Sequence, residues 1–143
     1  WIRMAAVPAQ PFPLVSRNFS TDLPNDSDPI TIDETTFVEA CDSELNALHD
    51  SLLNVLDNVG EEYDIEFASG VITLSLNKIG TFVINRQVPN RQIWTSSPIS
   101  GPRRYDYHPE DGSWLERRTS PRMTLQERLE EELSAALSQI ITL

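Results

Sequence analysis

The side chains able to do chemistry in this 143-residue chain are mostly carboxylates. Twenty-two Asp and Glu stand against eleven Lys and Arg, a formal charge of −11. Fourteen of those acids fall in residues 22–66, which hold no Lys or Arg, while residues 67–143 carry eight acids and nine bases. A donor set made only of oxygen suits hard cations, and it can take Fe²⁺ or Fe³⁺ weakly and without strict selectivity. No closed cage of ligands is visible, so shallow and partly hydrated sites are expected. The same block also reads as a solvated acidic face that attracts a basic protein surface. His49 and His108 are too few for an imidazole-rich metal site, and the single Cys41 permits no disulfide within the chain. There is no P-loop, GxGxxG, HExxH, GxSxG or CxxC pattern. The negative charge repels phosphate backbones, so nucleic acid is not an expected partner. No apolar run approaches the roughly 20 residues of a membrane span, so neither is a bilayer.

A second group of chemically capable residues mixes amides with tryptophan: Asn85, Gln87, Gln92 and Trp94, followed by Arg103 and Arg104. If Phe82, Ile84 and Ile93 point to a core, the period-2 alternation of strands sends Asn85, Gln87, Gln92 and Trp94 to the opposite face. An exposed Trp among amides is costly unless something covers it, and Trp is the residue type most enriched in binding hot spots. The alternative is a Trp covered by the chain's own C-terminal segment. The Ser/Pro/Gly loop of residues 96–102 leads into two Arg that could pair with partner carboxylates.

These residues must be held by elements that the spacing also predicts. Over residues 33–59, Phe37, Cys41, Leu45, Leu48, Leu52, Val55, Leu56 and Val59 recur on one helical face, with Glu39, Asp42, Asn46, Asp50 and Asp57 opposite. Asp33 is the expected N-cap and Gly60 the expected C-terminal stop. Asp57, in the last turn, opposes the helix dipole and gains nothing locally. Residues 64–67 alternate acids with apolar side chains. Ile72, Leu74, Leu76, Phe82 and Ile84 continue the alternation between turns at Ser69-Gly70 and residues 77–80. Residues 104–107 and 113–116 are shorter strand candidates. A second helix is expected from about residue 125 to 141, opened by a Thr124/Glu127 capping box and striped by Leu125, Leu129, Leu133, Leu137 and Ile140. Helix, run of strands, helix argues an α+β two-layer sandwich. In it, an antiparallel sheet has both helices on one face and water on the other.

Residues 1–21 carry Arg3 and Arg17, three Pro and no acid, which is compatible with the end of a mitochondrial presequence. Residues 1–19 are therefore read as a presequence remnant, 20–29 as a flexible segment and 30–143 as the domain.

The stretch Gly80-Thr81-Phe82-Val83-Ile84-Asn85-Arg86-Gln87-Val88-Pro89-Asn90-Arg91-Gln92-Ile93-Trp94-Thr95-Ser96-Ser97-Pro98-Ile99-Ser100-Gly101-Pro102-Arg103-Arg104-Tyr105-Asp106 resembles the signature of the frataxin family. The resemblance reaches back through Asp33-Glu34-Thr35-Thr36-Phe37 and Ser69-Gly70-Val71-Ile72-Thr73-Leu74 and covers residues 30–141. It implies a mitochondrial matrix protein of iron–sulfur cluster assembly. By position, an acidic ridge of Asp33, Glu34, Glu39, Asp42, Asp50, Glu61, Glu62, Asp64 and Glu66 is implied to bind iron weakly. Val38, Ser43, Asn46 and Asn54 stand where relatives often have acids, which shifts the implied weight toward residues 61–66. The resemblance further implies that Asn85, Gln87, Gln92, Trp94 and Arg104 contact the cluster scaffold protein within a cysteine desulfurase complex and that docking accelerates sulfur transfer. Some members are also described as ferroxidases that oxidise Fe²⁺, deliver iron as chaperones and store it as oligomers, so a monomer that iron assembles further is implied.

Overall fold

The computed structural model describes residues 32–60 and 62–143. The expected leader, the segment 20–29, the domain boundary at residue 30 and the ligand candidate Glu61 lie outside the described residues. Helix α1 runs Glu34–Val59, and six strands follow: β1 Tyr63–Ala68, β2 Val71–Leu76, β3 Gly80–Gln87, β4 Gln92–Ser97, β5 Gly101–His108 and β6 Ser113–Glu116. Helix α2, Leu125–Leu137, comes last. The strands form one antiparallel sheet in the order β1-β2-β3-β4-β5-β6, so every pairing joins chain neighbours.

Local chemistry sets the helix ends. The Asp33 carboxylate accepts from the Thr36 backbone N–H at 2.9 Å, filling one of the donors that a helix start leaves open. Gly60 takes φ 75° and its N–H closes on the Leu56 carbonyl, a left-handed stop that a residue without Cβ adopts at no steric cost. The Thr124/Glu127 capping box is complete at the start of α2.

Both helices cover one face of the sheet. Phe37, Cys41, Leu45, Leu52 and Leu56 of α1 and Leu125 and Leu133 of α2 join Ile72, Phe82, Ile84, Ile93 and Tyr105 in one core. Trp114 is buried there too, edge-on to Phe37 with ring centroids 6.0 Å apart. The expected α+β two-layer architecture is therefore the observed one.

The second helix is shorter than its spacing predicts. Ser138 adopts a left-handed φ of 53° and ends α2, so the next residues leave the helical register. Ile140, expected in the apolar stripe, is 95% exposed, and Ile141 is buried in its place. The Ile141 N–H is held by the Ser134 hydroxyl at 2.9 Å.

Candidate functional site

The outer face of the sheet is uncovered among the described residues, and its register lines up two rows of side chains. Asn85 pairs with Trp94, and Trp94 with Arg104; one step along, Gln87 pairs with Gln92, and Gln92 with Asp106. Opposed residues on one face are close enough to interact directly. The five expected contact residues are thus brought together across β3, β4 and β5.

Their postures differ from the simplest expectation. Trp94 does not stand up into solvent. Its indole is half-buried, with the Nε1–H donating to Gln92 Oε1 at 2.8 Å and the Arg104 guanidinium 4.4 Å from the ring centroid. An indole N–H needs an acceptor, and a guanidinium is attracted to the ring face, so the side chain is held by two partners. Gln92, expected to be an outward amide, is only 2% exposed. It accepts from the indole and donates to Asp106 Oδ1 at 2.8 Å. Asp106 in turn lies 3.8 Å from Arg117 Nε. Neither Asp106 nor Arg117 stands out from residue type alone. The tight loop between β4 and β5 fixes which β5 residue opposes Gln92, and counting outward from that loop in pairs would have found Asp106.

Arg103 and Arg104 separate by parity. Arg104 faces outward over Trp94, whereas Arg103 faces the helices and pairs with Glu116, which is 2% exposed and also held by Arg128 at 3.1 Å. Arg103 is therefore not free to meet a partner carboxylate.

The acidic residues occupy a different part of the surface. Glu34, Glu39 and Asp50 are exposed on α1; Glu62 is exposed just before β1, and Asp64 and Glu66 on β1 itself. Four of the acids, Asp33, Asp42, Asp57 and Glu62, already have partners inside the fold, Glu62 accepting from Asn77 Nδ2 at 2.8 Å. Asp33 is the N-cap, and its bonds from Thr36 hold its carboxyl below the usual range. Asp42, expected on the outer face of α1, makes an ion pair with Arg86 of β3. Gly70 lets Arg86 reach it: a Cβ there would meet Arg86 Nε at 3.0 Å. Asp57 accepts from the Tyr63 hydroxyl at 2.5 Å, so it does gain a local partner, against the expectation. Among the described residues, no three His, Cys, Asp or Glu converge as a metal cage would require. Glu62, Asp64, Ser75, Asn77 and Thr81 instead line an open recess of about 380 Å³. Its oxygens suit a loosely held, largely hydrated hard cation. His49 lies against the Phe67 ring at 5.5 Å, with Nδ1 3.5 Å from Asp50. Cys41 is fully buried, and burial pushes its thiol up to about 12, which makes it inert.

Comparison with known proteins follows this geometry. The family model described as a frataxin-like domain matches residues 30–139. The mitochondrial frataxin of Arabidopsis thaliana is 38% identical over 132 residues, covering 91% of this chain and 70% of that protein. The mitochondrial frataxin homologue of Drosophila melanogaster is 36% identical over 141 residues, covering 95% and 72%. Several further frataxins match over about half of their own length. Among solved structures, the trimeric frataxin of the yeast Saccharomyces cerevisiae, in a ferrous complex, has a TM-score of 0.62 at 39% identity and covers 70% of this chain and 87% of that one. With most of its length matched by the family model and its sheet and helices shared with a solved member, the chain belongs to the frataxin family.

Proposed function

We propose that this chain regulates mitochondrial iron–sulfur cluster assembly by docking on the cluster scaffold protein within the cysteine desulfurase complex and accelerating sulfur transfer. One observation carries the reading: on a sheet face uncovered among the described residues, Trp94 is oriented by Gln92, which accepts its N–H, and by Arg104 over its ring. A pre-oriented Trp costs little further ordering on contact, which is the usual property of a hot-spot anchor. Asn85, Gln87 and Arg104 then supply the hydrogen bonds that fix the docked orientation. Iron enters as cargo on Glu62, Asp64, Glu66 and the exposed acids of α1, held weakly enough to be handed on. The ferrous complex of the yeast trimer supports that role, and the trimeric yeast structures support an oligomer. The mitochondrial names of the relatives support a matrix location, and no helix among the described residues is long and apolar enough to cross a membrane.

The test is desulfurase turnover in the presence of scaffold, comparing wild type with Trp94→Ala. The variant should keep its thermal transition and lose the stimulation. Undiminished stimulation would refute the docking reading. A second reading, a ferroxidase and iron chaperone working through the same carboxylates, is favoured by the ferrous yeast complex alone. It requires Fe²⁺-dependent oxygen uptake that falls when Glu62, Asp64 and Glu66 become amides.

A further inference from the structure

The hydrogen bonds that orient Trp94 do not end at Gln92. The Gln92 amide accepts from the indole Nε1–H through Oε1 at 2.8 Å and donates through Nε2 to Asp106 Oδ1, also at 2.8 Å. The register sets Gln92 directly opposite Asp106 on β5, two positions along from the Trp94–Arg104 pair. An ionised carboxylate only accepts, and an indole N–H only donates. The amide between them therefore has one allowed sense. Turned over, it would set oxygen against oxygen at Asp106 and N–H against N–H at Trp94.

Burial enforces that sense. Gln92 is 2% exposed, so water is poorly placed to replace a lost partner. Asp106 is the end of the chain of bonds that meets solvent, with its side chain 26% exposed. Its second oxygen, Oδ2, is the one that lies 3.8 Å from Arg117 Nε, while Oδ1 serves the amide. Hydrogen bonds to ionised groups are roughly twice as strong as neutral ones. The bond from Gln92 to Asp106 is therefore the stronger of the two, and it anchors the neutral one to the indole. Arg104 constrains the ring separately, through its face.

We propose that Asp106 is a positioning residue of the docking surface. Its carboxylate fixes the sense of the Gln92 amide and, through it, the N–H edge of Trp94, rather than acting by its own contact with the partner. The inference rests on the docking reading, in which Trp94 is the anchor.

The experiment follows the indole N–H by NMR in the free ¹⁵N-labelled chain and, separately, measures binding to the scaffold–desulfurase complex. In Asp106→Ala, exchange of the indole proton with water should rise about 2–10-fold and binding should weaken by a similar factor, the range for freeing one ordered side chain. Asp106→Asn keeps an acceptor oxygen and drops the charge, so it should exchange more slowly and bind more tightly than Asp106→Ala. In a Gln92→Leu background, Asp106→Ala should add nothing to either readout, because the amide that transmits its effect is gone. Wild-type indole exchange in Asp106→Ala would overturn the proposal, as would its full effect reappearing in the Gln92→Leu background or Asp106→Asn behaving like Asp106→Ala. Trp94→Ala separates the two ideas. Normal binding by Asp106→Ala while Trp94→Ala fails to bind would overturn the positioning role alone. Normal binding by both would overturn the docking reading and the positioning role with it.

Discussion

Replacing Gln92 with leucine tests whether the amide bonded to Trp94 sets the posture of the indole. Leucine has nearly the right size for the site but makes neither bond. The Trp94 Nε1–H loses an acceptor at 2.8 Å, and Asp106 Oδ1 loses a donor at 2.8 Å. A neutral hydrogen bond nets about 0.5–1.5 kcal/mol, and one to a charged group about 1.5–3 kcal/mol. Asp106 is 26% exposed and also lies near Arg117, so water and that guanidinium recover part of the second term. Leucine regains some stability by placing apolar surface where a buried amide was. The expected net loss is about 1–2 kcal/mol, near the centre of the range for disruptive point changes. A double-mutant cycle isolates the bond of interest. Trp94→Phe keeps a ring face for Arg104 but has no N–H. Urea denaturation of wild type, both single variants and the double variant should give a coupling of about 1 kcal/mol, the worth of one neutral hydrogen bond. The indole proton should also lose its protection from solvent exchange in Gln92→Leu. Docking should weaken by about 2–10-fold, because ordering one freed aromatic side chain costs about 0.5–1.5 kcal/mol. Additive effects within about 0.3 kcal/mol would show that Gln92 and Trp94 are not coupled, and the orientation argument would fail.

Two further outcomes follow from groups elsewhere in the fold. Arg86→Gln breaks the ion pair to Asp42, whose side chain is already 47% exposed on α1, and frees that carboxylate for a cation, so anaerobic calorimetry should show more or tighter Fe²⁺ binding than wild type; an unchanged isotherm would mean the pair does not withhold Asp42. Burial raises the Cys41 thiol from an ordinary 9.0 to about 12 and the Tyr105 phenol from 10.0 to about 12. Both groups bind protons more tightly folded than unfolded. Their contribution is therefore complete below about pH 9 and is lost as pH climbs toward 12. The urea midpoint should fall over that window and fall less in Cys41→Ala; identical profiles would clear the thiol.

Much of this was legible from spacing alone. The 3.6 period placed α1, and the 2.0 period placed Ile72, Phe82, Ile84 and Ile93 in the core and Trp94 on the opposite face, because periodicity is a direct image of which side is dry. Face does not determine posture. Gln92 and Trp94 share the outer face, yet one is buried and the other half-buried, and the partners that the register across β4 and β5 brings up decide that. The partner of Asp42 was missed for a similar reason. The angle of Asp42 on the helix wheel is polar, but a long Arg from β3 crosses the small Gly70 to meet it, and no one-dimensional pattern contains that crossing. The end of α2 was overrun because Ser138 in a left-handed conformation is a rare stop, while apolar spacing continued past it. The iron ligands are the least legible part. Exposed carboxylates leave no periodic trace of which of them share an ion.

Strand β1 forms one edge of the sheet, its outer side meeting no other strand among the described residues. Such an edge is a template for another chain's strand, and inward or flanking charges are a common guard against it. Here the guard is Asp64 and Glu66, both exposed along that edge. The residues that attract a cation therefore also keep neighbouring molecules apart. Any ion that settles on them cancels the repulsion at an edge where two copies could extend their sheets into each other. Metal loading and self-association are thereby tied to the same two side chains, and a variant that neutralises them should be more prone to assemble even with no metal present.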